Sequence, residues 1–222
     1  MSDSPTPSDE VVEGFKKLPT AAISDALDSL GIAGQCLGIA PLDPSFRLTG
    51  RAFTLKYRAI GAVERGTVGD YIDDVPPGDV VVLDNGGRLD CTVWGDILTL
   101  VASRRGVGGT VISGVCRDVA RALELKYPVF TRGRYMRTGK DRVEVDSMNT
   151  PVSLGDVQVR PGDILVGDGD GVVVIPRSRE REVLERAQDI ERAEAGIEEE
   201  ARKGTRLSEA RKKFQYHALQ SR

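Results

Sequence analysis

Short runs of apolar, β-branched residues alternate with helix-periodic segments through the middle of the chain, and this alternation constrains the fold most. The stretch PPGDVVVLDNGG (76–87) predicts a turn, a buried strand and a second turn, and GGTVISG (108–114) predicts another strand. The helical segments WGDILTLVASRRGV and DVARALELKYPVF follow them, the second leading into a further strand. From 143 to 176, short strands alternate with turns. The pattern predicts an α/β or α+β domain built around more than one sheet.

The two ends of the chain differ in character. Residues 1–10, MSDSPTPSDE, are polar and acidic and predict a disordered tail, so we expect one domain over residues 11–222. After this tail, Ile23, Ala26, Leu27 and Leu30 share one face of a predicted helix, which Gly31 ends. A short helix is predicted near 68–72. A long charged helix is expected over residues 178–203, ended by Gly204, with a last helical piece over 207–219.

Composition excludes several classes of protein. A net charge of −3 and an aromatic content of 5% predict no nucleic-acid partner. No apolar stretch is long enough to span a bilayer, and the N-terminus lacks a secretory signal, so a cytoplasmic protein with no membrane partner is expected.

The inventory of reactive side chains is also limiting. The three cysteines form no CxxC pair, and the only histidine, His217, lies six residues from the C-terminus. The sequence therefore offers few of the histidine and cysteine side chains that a catalytic triad or a zinc site requires. Catalysis is expected to rest on carboxylates, arginine, backbone amides and a hard metal ion.

The segment GDGDGV (167–172) resembles the start of a calcium loop. A calcium loop that starts at Asp168 needs glycine at its sixth position and glutamate at its twelfth. This chain has Val173 and Arg179 at those two positions. A phosphate loop would end in GK[ST] and lead into a helix, and this segment does neither. We interpret it as a tight turn between two strands.

The segment WGDIL (94–98) places Gly95 and Asp96 directly before a helix. One interpretation is that Asp96 is only the N-cap of that helix. The other is a binding site, because the N–H groups of Ile97 and Leu98 lie at a helix N-terminus, where a substrate carboxylate can bind.

The pair Arg117 and Asp118 follows a predicted strand, at the position where α/β folds build their sites. One interpretation is that Asp118 caps the following helix and Arg117 is a surface charge. The alternative is a binding site. There the guanidinium of Arg117 binds a carboxylate in a bidentate manner, and Asp118 binds Mg²⁺, whose other positions hold water.

Glu194 interrupts the apolar stripe of the long C-terminal helix. The stripe is formed by Val183, Ala187, Ile190, Ile197 and Ala201, and position 194 is its missing member. A carboxylate there is costly unless it is paired or reaches water. Either it lies at the edge of the stripe, or it reaches the site of a neighbouring subunit.

These elements, in this order, resemble the RraA-like family. That family includes the class II 4-hydroxy-4-methyl-2-oxoglutarate/4-carboxy-4-hydroxy-2-oxoadipate aldolases and the regulator of ribonuclease E activity. The resemblance covers about residues 18–219. Its segments are LPTAAISDALDSLG, GRAFTL, WGDILTLVASRRGVGGTVISGVCRD, YPVFTRG, PVSLGDVQVRPGDILVGDGDGVVVIP and the pair Glu194 and Gly204.

The resemblance implies a layered β/β/α fold, a homotrimer or homohexamer, and active sites between subunits. Arg117 would bind the pyruvyl part of the substrate, and Asp118 would hold a divalent metal. The segment from Gly95, with the amides of Ile97 and Leu98, would bind the substrate carboxylate. Asp96 and, from the adjacent subunit, Glu194 would bind water molecules on the metal.

The implied function is metal-dependent cleavage of a 4-hydroxy-2-keto acid to pyruvate, with oxaloacetate decarboxylation as a side activity. No lysine in the motifs is placed for a Schiff base, so Mg²⁺ or Mn²⁺ would stabilise the enolate. Family members commonly have D-G-x-V-R-D, whereas this chain has SGVCRD (113–118), a departure that bears on substrate identity. The alternative is a regulator that binds a ribonuclease or another protein.

Overall fold

The computed structural model describes residues 9–61 and 67–216 as helices around a mixed sheet. The α-helices are α1 Glu10–Phe15, α2 Thr20–Ser29, α3 Asp96–Arg104, α4 Val119–Glu124, α5 Glu180–Arg202 and α6 Leu207–Lys213, with 3₁₀ helices at Asp70–Asp74 and Arg177–Arg179. The strands are β1 Ala40–Pro41, β2 Leu48–Ala59, β3 Val80–Thr92, β4 Gly109–Cys116, β5 Val129–Arg134, β6 Val143–Met148, β7 Val152–Leu154, β8 Val157–Val159, β9 Ile164–Asp168 and β10 Gly171–Ile175.

The main sheet places four parallel strands side by side. Its order is β1-β5-β4-β3-β2-β9-β10, with β6 also paired to β2, and β2, β3, β4 and β5 are mutually parallel. Helix α3 connects β3 to β4, and α4 connects β4 to β5. Both helices therefore begin at the carboxyl ends of parallel strands, where α/β sheets bind ligands.

The sheet curls until its two ends meet one segment of chain. Residues 34–36 bond to β10, through Cys36 N to Val172 O at 3.0 Å and Val174 N to Gly34 O at 2.8 Å. A few residues later, β1 pairs with β5 at the other end of the path.

Two hydrophobic cores lie on opposite faces of β9 and β10. Val166 and Val173 belong to the core with α1, α2 and α5, whereas Leu165 and Val174 belong to the larger core with β2 to β5. Because successive side chains of a strand point to opposite faces, a strand buried on both sides needs apolar residues throughout. This explains the runs ILV and VVVI around the turn.

Most of the predicted elements are confirmed. The α/β class, the helical face of α2, the long C-terminal helix and the tight turn after β9 all occur as expected. None of the helices in the described part of the chain is both long and apolar enough to cross a bilayer.

Some predictions need correction. The second turn predicted at 84–87 is instead inside β3, which continues to Thr92 because Gly86 and Gly87, with φ of 60° and 69°, let it bulge within the sheet. The helix predicted near 68–72 is a 3₁₀ turn at Asp70–Asp74. Asp9 caps α1 and Glu10 begins it, so residues 9 and 10 do not belong to a disordered tail as predicted. Residues 1–8 and His217 lie outside the described residues.

Candidate active site

The chain between β3 and α3 is braced by buried hydrogen bonds. The hydroxyl of Thr92 lies 2.8 Å from Trp94 O and 3.0 Å from Val115 O, which ties the end of β3 to the end of β4. Trp94 Nε1 donates to the hydroxyl of Thr99 at 2.9 Å, inside the first turn of α3. This bracing fixes the N-terminus of α3 relative to the residue that follows β4.

Asp118 adopts a left-handed backbone conformation, with φ 56° and ψ 39°. Few residues other than glycine do so, and strained backbone of this kind clusters at functional sites. Asp118 occupies the N-cap position of α4, but its side chain makes no capping bond there. Its Oδ2 instead accepts a hydrogen bond from the backbone N–H of Asp96 at 3.1 Å.

Arg117 completes the contact between the two strand ends. Its Nε lies 3.3 Å from Asp118 Oδ2, and its backbone N–H donates to Trp94 O at 3.1 Å. The Arg117 and Asp118 side chains are 39% and 38% exposed, so both remain open to a ligand. The structure therefore brings Arg117 and Asp118 together with the N-terminus of α3.

Gly95 allows this close approach. A Cβ atom at Gly95 would lie 2.8 Å from Asp118 Oδ2 and 3.3 Å from Arg117 Nε. Its φ of −148° is ordinary extended backbone, so the need for glycine here is one of space.

The helix N-terminus differs in detail from the sequence interpretation. Gly95 is the N-cap, and Asp96 is the first residue of α3. Asp96 Oδ1 accepts from the N–H of Ile97 at 2.8 Å, so only one of the two amides expected for a substrate carboxylate is free. Within the described residues, the N–H of Leu98 has no acceptor.

The donors at Asp118 fit a hard ion that keeps most of its shell as water or substrate oxygens. Asp118 Oδ1 has no hydrogen-bond partner among residues 9–61 and 67–216, whereas Oδ2 is held by Asp96. The described residues contain no cluster of three or more His, Cys, Asp or Glu side chains placed to enclose an ion. One exposed carboxylate with a free oxygen is a donor set that Mg²⁺ accepts.

Cys116 lies beside this site without taking part in it. Burial raises the pKa of its thiol to about 11, against a smaller opposing attraction from Arg134. Burial therefore favours the protonated thiol at neutral pH, whereas a cysteine nucleophile reacts as the thiolate.

Glu194 lies in a different part of the molecule. It is on α5, which packs against α1, α2 and α6, whereas α3 packs against α4 and the 3₁₀ turn at Asp70–Asp74. Its Oε1 accepts from the hydroxyl of Tyr216 at 2.7 Å. One copy of the chain thus does not join Glu194 to Asp118, and its role at a neighbouring subunit's site stays a prediction.

Comparison with known proteins identifies the family. The family model RraA-like, described as Aldolase/RraA, matches residues 20–174. The chain belongs to the RraA-like family. The matched range contains β3, α3, β4 and α4, and with them Gly95, Asp96, Arg117 and Asp118.

Curated relatives of this RraA-like chain include a protein that is named as an aldolase. The chain is 35% identical over 179 residues to the "Putative 4-hydroxy-4-methyl-2-oxoglutarate aldolase" of Halalkalibacterium halodurans, covering 81% of this chain and 82% of the relative. It is 39% identical over 225 residues to Protein DlpA of Legionella pneumophila. That match covers 96% of this chain but spans only 36% of DlpA, about a third of its length.

Solved structures show the RraA-like fold directly. An uncharacterized protein from Pseudomonas syringae pv. tomato superposes with a TM-score of 0.86 at 42% identity, covering 93% of this chain and all of that one. Streptomyces coelicolor RraAS2, described as an unusual member of the RNase ES inhibitor RraA family, superposes with a TM-score of 0.76 at 30% identity, covering 86% and 97%.

Proposed function

We propose that the chain cleaves a 4-hydroxy-2-keto acid, of the 4-hydroxy-4-methyl-2-oxoglutarate type, into pyruvate and a carbonyl product, using Mg²⁺ or Mn²⁺. The observation that carries the proposal is the contact of Arg117 and Asp118 with the N-terminus of α3 at the carboxyl ends of two parallel strands. The relative in Halalkalibacterium halodurans bears the name of that aldolase, which supports the reaction class.

Asp118 would hold the ion through Oδ1, the oxygen left without a partner in the described structure. When bound, a divalent ion supplies Lewis-acid stabilisation of the negative charge that develops on the keto oxygen. The hydrogen bond from Asp96 N keeps the carboxylate of Asp118 at a fixed angle, so the ligand is preorganised before substrate arrives.

Arg117 binds the anionic keto acid end of the substrate. Its guanidinium presents two parallel N–H donors to a carboxylate or an enolate oxygen, a geometry that lysine does not reproduce. The free N–H of Leu98, at the positive end of the α3 dipole, adds a second donor for the same carboxylate.

Asp96 would take part in the proton transfer to the enolate. Its Oδ1 is occupied by Ile97 N, and Oδ2 has no hydrogen bond in the part of the chain that the structure describes. As the C3–C4 bond breaks, the proton lost by the C4 hydroxyl passes through water to C3 of the resulting enolate, which gives pyruvate. Asp96, together with Glu194 of an adjacent copy in a homotrimer or homohexamer, would orient the water that delivers this proton.

The direct test measures pyruvate release from 4-hydroxy-2-keto acids and from oxaloacetate, whose decarboxylation passes through the same enolate. We expect EDTA to abolish pyruvate release and added Mg²⁺ or Mn²⁺ to restore it. Full activity in chelator would refute the metal-dependent reaction.

The variant Arg117→Lys probes the site itself. We expect kcat/KM to fall roughly 100-fold because the two-pronged contact is lost while the charge is kept. Arg121→Lys is the matched control, since the Arg121 side chain pairs with Glu124 on the exposed side of α4 at 2.8 Å. If both variants kept the kcat/KM of wild type, Arg117 would have no role in the mechanism.

A regulatory role is the second candidate, favoured by the superposition on RraAS2, which is described as belonging to an RNase inhibitor family. The chain would then bind a ribonuclease or another protein partner. A metal-loaded protein that releases no pyruvate but retains a purified ribonuclease on a column would favour this candidate.

A further inference from the structure

The chain after α5 folds back onto that helix. Gly204, with φ 87°, turns the backbone after α5, and α6 then returns along its surface. We name residues 207–216 the C-terminal hairpin segment. Lys213 Nζ lies 3.0 Å from Glu200 Oε1, an ion pair that joins this segment to α5.

An aromatic contact fixes how closely the segment docks. The ring of Phe214 lies against Gly196, where a Cβ atom would be only 2.4 Å from the ring. A Cβ atom at 196 would force the Phe214 ring to move away, since real Cβ atoms do not come so near. Glycine costs about 1 kcal/mol relative to alanine inside a helix, so its presence here indicates that close docking matters.

Docking brings the hydroxyl of Tyr216 to 2.7 Å from Glu194 Oε1. Both groups line an open cavity of about 480 Å³ between α5 and α6, together with Glu191, Leu207 and Arg211. Ile190 and Ile197, on the same stripe of α5 as Glu194, are buried. Glu194 therefore emerges from an apolar stripe with one oxygen held and its carboxylate facing open space.

The kind of donor is informative. A phenol is neutral, so the bond with Tyr216 orients the carboxylate without neutralising its charge, as an arginine or lysine would. The guanidinium of Arg211 lies over the Tyr216 ring, 5.6 Å from its centroid. Tyr216 is thus itself held in place, and a glutamate that would otherwise sample several rotamers is kept in one.

We propose that Tyr216 is a positioning residue for Glu194, and that the C-terminal hairpin segment thereby serves the catalytic apparatus. This inference rests on the proposed function, in which Glu194 acts at the site of a neighbouring copy. Tyr216 touches neither substrate nor metal; it sets the direction of the carboxylate that does the work.

The test uses the full chain loaded with Mg²⁺ and compares Tyr216→Phe with wild type. We expect kcat for pyruvate release to fall roughly 10- to 100-fold with KM changed less than about twofold, because a misplaced group slows the chemical step more than it weakens binding. Lys212→Ala is the control, since Lys212 is an exposed side chain of the same segment, and we expect wild-type kcat.

A double-mutant cycle separates positioning from a structural role. Glu194→Ala alone should lower kcat strongly, and Tyr216→Phe added to it should cause no further loss, because the hydroxyl then has no carboxylate to orient. Calorimetric titration with oxalate, a mimic of the pyruvate enolate, should give the same affinity for Tyr216→Phe and wild type. Additive losses in the cycle would overturn the inference.

The failures of the two proposals differ. If Glu194→Ala lowers kcat and Tyr216→Phe does not, the inference is wrong and the proposed function stands. If wild type releases no pyruvate with any divalent ion, the proposed function falls and the inference falls with it. If Glu194→Ala keeps wild-type kcat, only the role of Glu194, and hence of Tyr216, is removed.

Discussion

At the scale of single residues, the geometry of the site depends on the absence of a side chain at Gly95. Gly95 leaves the space in which Asp118 Oδ2 meets the N-terminus of α3. The sequence indicated Gly95 and Asp96 because they directly precede a predicted helix, and Arg117 and Asp118 because they follow a predicted strand. It did not indicate which atoms meet, since that depends on the register of β3 and β4, in which Asp84 pairs with Ser113 but Thr92 with Val115.

The variant Gly95→Ala tests this dependence. We expect kcat/KM to fall roughly 100-fold, because the added methyl group displaces the Asp118 carboxylate and the Arg117 guanidinium, while the extended backbone tolerates alanine. Gly61→Ala is the matched control, since a Cβ there would meet no described residue within 4 Å. Thermal unfolding followed beside the kinetics shows whether the fold is kept; unchanged kcat/KM in Gly95→Ala would contradict the account.

At the scale of elements, α2 takes its cap from a strand that is distant in sequence. Pro19 occupies the N-cap position and has no side-chain donor or acceptor, and Asp168, the last residue of β9, fills that role. Asp168 accepts from Thr20 N at 2.9 Å and from the Thr20 hydroxyl at 2.6 Å. Periodicity predicted α2 itself, but a contact spanning 148 residues of sequence leaves no local pattern.

Removing this cap should destabilise the fold. We expect Asp168→Ala to lower the free energy of unfolding by about 2–3 kcal/mol, because two buried donors lose a charged acceptor. Thr20→Val, which removes only the hydroxyl, should cost less. Urea unfolding monitored by circular dichroism measures both, and equal stability of Asp168→Ala and wild type would exclude the capping role.

The pH dependence of the same cap has a definite sign. Burial favours protonation of Asp168, but hydrogen bonds from Thr20 and Asp170 outweigh it and hold the pKa below the ordinary 3.8. A lowered pKa contributes stability that is present above pH 3.8 and is lost as pH falls through the folded-state value. The difference between wild type and Asp168→Ala should therefore shrink in acid.

At the scale of the whole molecule, the N-terminal helix, the sheet and the C-terminal helix meet at Arg51. Its guanidinium contacts Asp9 at 2.6 Å and Glu180 at 2.9 Å, which joins the starts of α1 and α5 to β2. Asp79, in the turn before β3, is attracted by the same arginine, yet burial raises its pKa to about 6. The sequence predicted the Pro-Gly-Asp turn but could not predict that its carboxylate loses solvent.

This gives a prediction for stability against pH. A raised pKa contributes stability that is full below pH 3.8 and is lost as pH rises through about 6. Asp79→Asn avoids the cost of a half-buried charge, so we expect its Tm to exceed that of wild type more at pH 8 than at pH 4. Asp74→Asn, at an exposed position, is the control; the opposite pH trend for Asp79→Asn would disprove the assignment.

The closure of the sheet also bears on how the chain reaches its native state. The edge strand β10 finds its bonding partner in residues 34–36, and the first half of β2 finds its own in β9. Pairings between such remote stretches form late and slowly, because a large loop must close before any contact rewards it. During synthesis on the ribosome, the first half of β2 therefore keeps an unpaired edge until residue 167 has emerged, an interval in which that edge is exposed to pairing with other chains.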